Sequence, residues 1–80
     1  MKYNFDKQLI IHYDKNKFTN IYKRVINKTN NNKYNVITYF KSGDRNMAHK
    51  SMVYFTEELI EELINIYIIE FNIKKRIEYK

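Results

Sequence analysis

This chain has no cysteine and no proline, and its one glycine stands at position 43. Without thiols there is no disulfide, no cysteine-ligated zinc and no thiolate nucleophile. Without proline no loop is stiffened, so the usual staples of a small fold are missing. Long apolar runs are missing too. A stretch such as Ile66–Ile69 falls far short of the roughly 20 residues needed to span a bilayer. Met1 to Asp6 also lack the apolar stretch of a signal peptide. These absences lead us to expect a soluble protein of the cytoplasm, the host cytoplasm if the chain is phage-encoded, with no membrane partner.

Eighty residues make one domain, 1–80, and a domain of this size buries only about 60% of the surface its unfolded form exposes. Its margin of stability is thin, which favours self-association or docking to a partner. What the chain has in abundance is positive charge and aromatic side chains, with a net charge of +6, eight tyrosines and five phenylalanines. The charge is uneven. Residues 1–33 carry eight basic and two acidic side chains, residues 34–56 three and one, residues 57–71 none and five, and residues 72–80 four and one. A basic surface interrupted by aromatics suits a polyanion, because each phosphate contact releases a counterion. The abundance of Asn, Ile, Lys, Tyr and Phe also fits an AT-rich coding sequence, which accounts for part of the lysine excess whatever the protein does.

Tyr3, Phe5, Leu9, Ile11 and Tyr13 alternate, broken once by Lys7, and this two-residue period predicts a first strand over 3–13. Over 15–28, Phe18, Ile21, Tyr22, Val25 and Ile26 follow helical spacing and read as a second, shorter helix. The Thr, Asn, Tyr and β-branched content of the same stretch favours a strand. A loop over 27–33, with Asn30-Asn31-Asn32 at its tip, leads to two β-rich segments, 34–40 and 47–55, joined through the Gly/Asp stretch 41–46 as a hairpin. Thr56 is a good N-cap, Glu57 and Glu58 suit the positive end of a helix, and Phe55 with Ile60 has the spacing of a hydrophobic staple. Leu59, Ile60, Leu63, Ile64, Tyr67, Ile68 and Phe71 then form the apolar stripe of a helix to about residue 71, which nothing in the sequence stops before Glu78. The expected fold is α+β: an antiparallel sheet of three or four strands packed by a long C-terminal amphipathic helix, with a second short helix at 15–28.

Three groups of residues are candidates for function. Lys17, Arg24 and Lys28 would line one flank of the helix over 15–28. Lys33, Lys41, Arg45 and Lys50 add charge from the loop and hairpin, and Tyr39 and Tyr54 offer rings for unpaired bases; together these nine form a candidate nucleic-acid or partner-binding face. Lysine beside tyrosine is equally the composition of an ordinary solvated surface. A second stripe on the long helix, Ile66, Ile69, Ile73 and Ile77, reads as a dimer or partner interface, or as a surface covered by another part of the chain. Catalytic signals are sparse. His12 and His49 are the only histidines, no HExxH, P-loop or GxGxxG occurs, and no metal or other cofactor is expected.

The stretch Lys50-Ser51-Met52-Val53-Tyr54-Phe55-Thr56-Glu57-Glu58-Leu59, behind a Gly/Asp loop, resembles the strand-to-helix junction of the single-stranded-DNA-binding positive coactivators. Serine stands at 51 where that family tends to have glycine. The resemblance implies four antiparallel strands, one long helix and a homodimer.

Three functional expectations follow. The first is a non-catalytic binding protein that engages nucleic acid or a nucleoprotein complex through a basic, aromatic face. The second is a phage or mobile-element inhibitor, similar to anti-CRISPR proteins, that blocks a host nucleic-acid-handling enzyme. The third is a metal-free ribonuclease toxin using the two histidines and a lysine.

Overall fold

A computed structural model describes residues 3–15, 17, 19–29, 33–54, 56–71 and 73–80, with side chains left out at 53–54 and 66–71. The elements in order are β1 (Leu9–Tyr13), β2 (Ile21–Lys28), β3 (Lys33–Ser42), β4 (Arg45–Tyr54), α1 (Glu57–Phe71) and β5 (Lys75–Tyr79). The strands form one five-stranded antiparallel sheet in the order β4-β3-β2-β1-β5. The chain thus meanders through four strands, and α1 then carries it back across the sheet so that β5 joins the far edge beside β1.

This corrects the sequence expectation in three places. Among the described residues of 15–28 there is no helix, because Ile21–Lys28 is a strand paired with both β1 and β3. Ahead of it, the Asp14 amide donates to the Lys74 carbonyl at 3.0 Å. The helical spacing of Ile21, Tyr22, Val25 and Ile26 was misleading because β2 carries a register shift between Ile21 and Lys23. A bulge of this kind changes the phase of the side chains, so apolar residues fall on both faces without obeying a period of two.

The helix, too, is not C-terminal. It runs to Phe71, and the chain then returns to the sheet as β5, tied to the N-terminal region by reciprocal amide bonds of 3.0 Å between Gln8 and Lys80. Finally, the sheet has five strands rather than three or four. The first strand is shorter than expected, since Tyr3 and Phe5 enter the core from irregular backbone ahead of Leu9.

Leu9, Ile11, Tyr13, Ile26, Tyr34 and Val36 face α1, which contributes Ile60 and Ile64, and Tyr3, Phe5 and Ile73 close the cluster. Leu9, Ile11, Ile60 and Ile64 are fully buried. Each contributes about 1.5–3 kcal/mol of burial to a domain whose total stability is about 4–12 kcal/mol at this length. Phe5 meets Tyr34 edge-on, ring centroids 5.5 Å apart at 71°. The Tyr34 hydroxyl lies against Glu57, and burial first, then the Glu57 charge, raises the phenol above its ordinary value, so it stays neutral. Thr56 caps α1, its Oγ1 accepting from the Leu59 amide at 3.4 Å. The staple residue Phe55 and the tip Asn30–Asn32 lie outside the described residues.

The β3–β4 turn is tighter than the six-residue loop the composition suggested. Ser42 pairs with Arg45, leaving Gly43 and Asp44 alone in the turn. Gly43 has φ +63°, a left-handed conformation that matches the twist of a two-residue hairpin. A β-carbon there would meet nothing within 4 Å, so only backbone strain opposes one. Gly43→Ala should lower the free energy of unfolding by about 1 kcal/mol, as the left-handed penalty predicts, with Gly43→Asn losing less in the same urea titration.

Candidate nucleic-acid interface

Side chains alternate across a strand, so the sheet has a second face opposite α1. The strand register places its residues in rows that cross the sheet. One row reads Arg76, His12, Lys23, Tyr39 and Ala48, taken in order from β5 to β4. The next reads Glu78, Ile10, Val25, Ile37 and Lys50. Five strands at about 4.8 Å spacing make each row roughly 19 Å long, and neighbouring rows stand about 7 Å apart.

The packing partners of the sheet gather on the other side. The Tyr13 hydroxyl donates to the Ile64 carbonyl at 3.2 Å, and Arg24 Nη1 donates to the Leu63 carbonyl at 3.0 Å. Both contacts are made from core-facing positions of β1 and β2. On this face Ile10 and Val25, both buried, and the half-buried Ile37 form an apolar row flanked in register by Glu78 and Lys50.

The bulge in β2 turns Tyr22 onto the open face beside Lys23. Its ring lies 6.3 Å from that of Tyr39, tilted by 50°. Lys23 Nζ stands 4.4 Å over the Tyr39 ring, and Lys41 Nζ 5.9 Å over the Tyr22 ring. These contacts are cation–π pairs at partly exposed sites. By register, the strand residues of this face include the cations Lys23, Lys33, Lys41, Lys50 and Arg76, against one anion, Glu78.

Glu78 is paired with the neighbouring row. His12 Nε2 lies 3.1 Å from Glu78 Oε1. The hydrogen bond from His12 is the main reason the Glu78 carboxyl titrates below its ordinary value, and the charges of His12, Lys80 and Arg76 assist. A carboxyl with a lowered folded pKa stabilises the fold above its unfolded value of 4.5, and that contribution is lost as pH falls through the folded pKa. Glu78→Gln should therefore show a shallower loss of stability than the parent chain between about pH 5 and pH 3, read as urea midpoints across that range. Identical pH profiles would remove Glu78 from the pairing.

The sequence-predicted residues divide between the two faces. Tyr39, Lys41 and Lys50 lie together on the open face, with Lys33 at its end. Tyr54 is the last residue of β4, opposite Lys33, and its side chain lies outside those described. Arg45 follows the hairpin turn on the α1 side, and Lys17 stands in the bend after β1. Arg24 is no surface cation. It is 6% exposed and held by Tyr13, Thr38 and Leu63. Lys28 lies on the helix side too, 3.5 Å from Glu57. The expected line of Lys17, Arg24 and Lys28 therefore does not exist, because the helix that would have aligned them is a strand.

The expected isoleucine stripe is broken as well. Ile73 is buried in the core at 5% exposure and Ile77 pairs with Ile11 and packs against that core, so neither continues a helical surface. The side chains of Ile66 and Ile69 lie outside those described. His12 and His49 occupy opposite faces with β2 and β3 between them, so they cannot serve one ribose as acid and base.

Tyr22, Lys23, Arg76 and the His12–Glu78 pair were not among the sequence candidates. Lys75-Arg76-Ile77-Glu78-Tyr79 does alternate in the manner of a strand, and that signal was available, but the helical spacing of Ile69, Ile73 and Ile77 masked it.

Among the described residues, no three His, Asp or Glu side chains are grouped to hold a metal ion, and no helix is long and apolar enough to cross a membrane. Comparison of the chain with protein-family models, with curated proteins and with solved structures finds no match.

Proposed function

We propose that this chain is a non-catalytic binding domain that takes a nucleic acid, free or within a nucleoprotein complex, on the open face of its sheet. The observation that carries this reading is the segregation of charge between faces. On the α1 side three cations are engaged internally, Arg24 by Tyr13 and Leu63, Lys28 by Glu57, and Lys75 by Tyr3 and Asn65, while Arg45 stands exposed at the hairpin end. The acids Glu57, Glu58, Glu61 and Glu62 lie on that side as well. The open face keeps Lys23, Lys41, Lys50 and Arg76 within two adjoining rows and the one beyond, with Glu78 as their counter-charge.

Such a surface attracts a polyanion through counterion release, and its affinity falls as a power of salt concentration. Titrating a labelled nucleic acid at several salt concentrations tests the reading. A log–log slope of about −2 to −4 is expected if three or four of these cations meet phosphates. No binding at low salt, or binding indifferent to salt, overturns it.

A further inference from the structure

We infer that the ligand of the open face is an unpaired strand whose bases stack on the Tyr22–Tyr39 pair, while Lys23 and Lys41 take its phosphates. This inference rests on the polyanion reading and narrows it. Charge alone would serve a duplex equally well. Two further features point to bases rather than to phosphates alone.

The first is the bulge. Regular pairing of β2 would give Tyr39 one partner on this face, whereas the shift between Ile21 and Lys23 gives it two, Tyr22 and Lys23. Bulges re-aim side chains at functional surfaces, and this one sets two tyrosines side by side, 6.3 Å apart. Tyr22 is not needed by the core, whose members along β2 are Ile26 and the partly buried Ile21. In a duplex the base faces are stacked on one another, so a tyrosine ring presented by a sheet finds nothing to stack on. An unpaired base has both faces available, and every base has one to offer.

The second feature is the position of the lysines. Lys23 and Lys41 each hold an ammonium over one ring of the pair. A base and an ammonium compete for the same ring face. When a base arrives the ammonium moves off the ring, and the phosphate of the same nucleotide is the negative charge nearest to hand. Base stacking and phosphate neutralisation are thereby coupled at each tyrosine. Ile37, half-buried one row away, is the apolar neighbour the face leaves partly accessible beside them, since Ile10 and Val25 are themselves buried.

The test uses fluorescence anisotropy at about 0.1 M salt with three labelled probes. These are an oligothymidylate of about 12 nucleotides, a duplex of the same length, and an abasic deoxyribose-phosphate strand of that length. The oligothymidylate should bind roughly tenfold tighter than the other two. Tyr22→Ala and Tyr39→Ala should each weaken it by roughly tenfold, the usual worth of one base–aromatic stack, and leave the abasic and duplex affinities unmoved. Tyr22→Phe and Tyr39→Phe keep the ring and should keep the affinity, which separates loss of stacking from damage to the sheet. If all three probes bind alike and the alanine variants change nothing, the unpaired-strand inference fails and the polyanion reading survives. If none of the probes binds, both fail together.

Discussion

Arg24→Ala should lower the free energy of unfolding by about 3 kcal/mol and leave the salt dependence of nucleic-acid binding as it was. The guanidinium is buried between the sheet and α1. It donates from Nη1 to the Leu63 carbonyl at 3.0 Å and to the Tyr13 hydroxyl at 3.4 Å, and from Nε to Thr38 Oγ1 at 3.4 Å. Alanine removes the donors and leaves those acceptors facing a gap, and the cost of orphaned buried oxygens adds to the loss of packing along the arginine stem. Arg24→Met keeps most of the stem and should recover part of the loss. With a total stability of about 4–12 kcal/mol, the alanine variant stands close to the edge of folding. A loss below about 1 kcal/mol in a urea titration, or a flattened salt slope at a temperature where the variant is folded, would return Arg24 to the surface.

Replacing Lys23, Lys41 and Arg76 together with alanine should weaken nucleic-acid binding by at least about a hundredfold at 0.1 M salt, with little change in stability. Each phosphate contact contributes about 0.7 to 0.9 to the log–log salt slope, which at 0.1 M amounts to about five- to eightfold in affinity. Three contacts multiply to about 10² or more, and the slope itself should fall by about 2 to 3. The fold should tolerate the change because Lys41 and Arg76 are exposed and Lys23 is only half-buried. Lys7→Ala with Lys15→Ala is the matching control, since it removes exposed cations outside the sheet face. If the control weakens binding as much as the triple variant does, net charge rather than this face attracts the ligand.

The β3–β4 hairpin was legible because glycine and aspartate mark a turn between two β-branched, aromatic segments, and such pairing is local. The start of α1 was legible because Thr56, Glu57 and Glu58 satisfy the orphan amides and dipole of a helix N-terminus with nearby side chains alone. Tyr39, Lys41 and Lys50 could be placed near one another for the same reason, since they sit on the two strands of one hairpin.

Residues 15–28 and the C-terminal segment misled for a shared reason. Their local spacing fits a helix, and the interactions that override it come from remote parts of the chain. β2 is a strand because β1 and β3 bracket it, and β5 is a strand because β1 offers an unpaired edge: Leu9 pairs with Tyr79 and His12 with Arg76. The resemblance at 50–59 to the single-stranded-DNA-binding coactivators covers one strand-to-helix junction, and the strand that follows α1 departs from the architecture it implied.

Composition and local spacing alone were enough to set the excess of positive charge, its exclusion from 57–71, the capped helix start and the supply of rings. Those properties belong to single residues or to neighbours within a few positions, and no fold can alter them. Which side of the protein each cation occupies was a different matter. Arg24 went inward and Lys23 outward, although they are adjacent, because β2 alternates across the sheet and its bulge sets where that alternation begins. Arg76 and Glu78 reached the same row system as Lys23 and Lys50 because α1 carried the chain back over the sheet to the free edge of β1. The phase of a strand and the choice of its neighbour are settled by burying one face of the whole sheet at once, and that energy has no local representation along the chain.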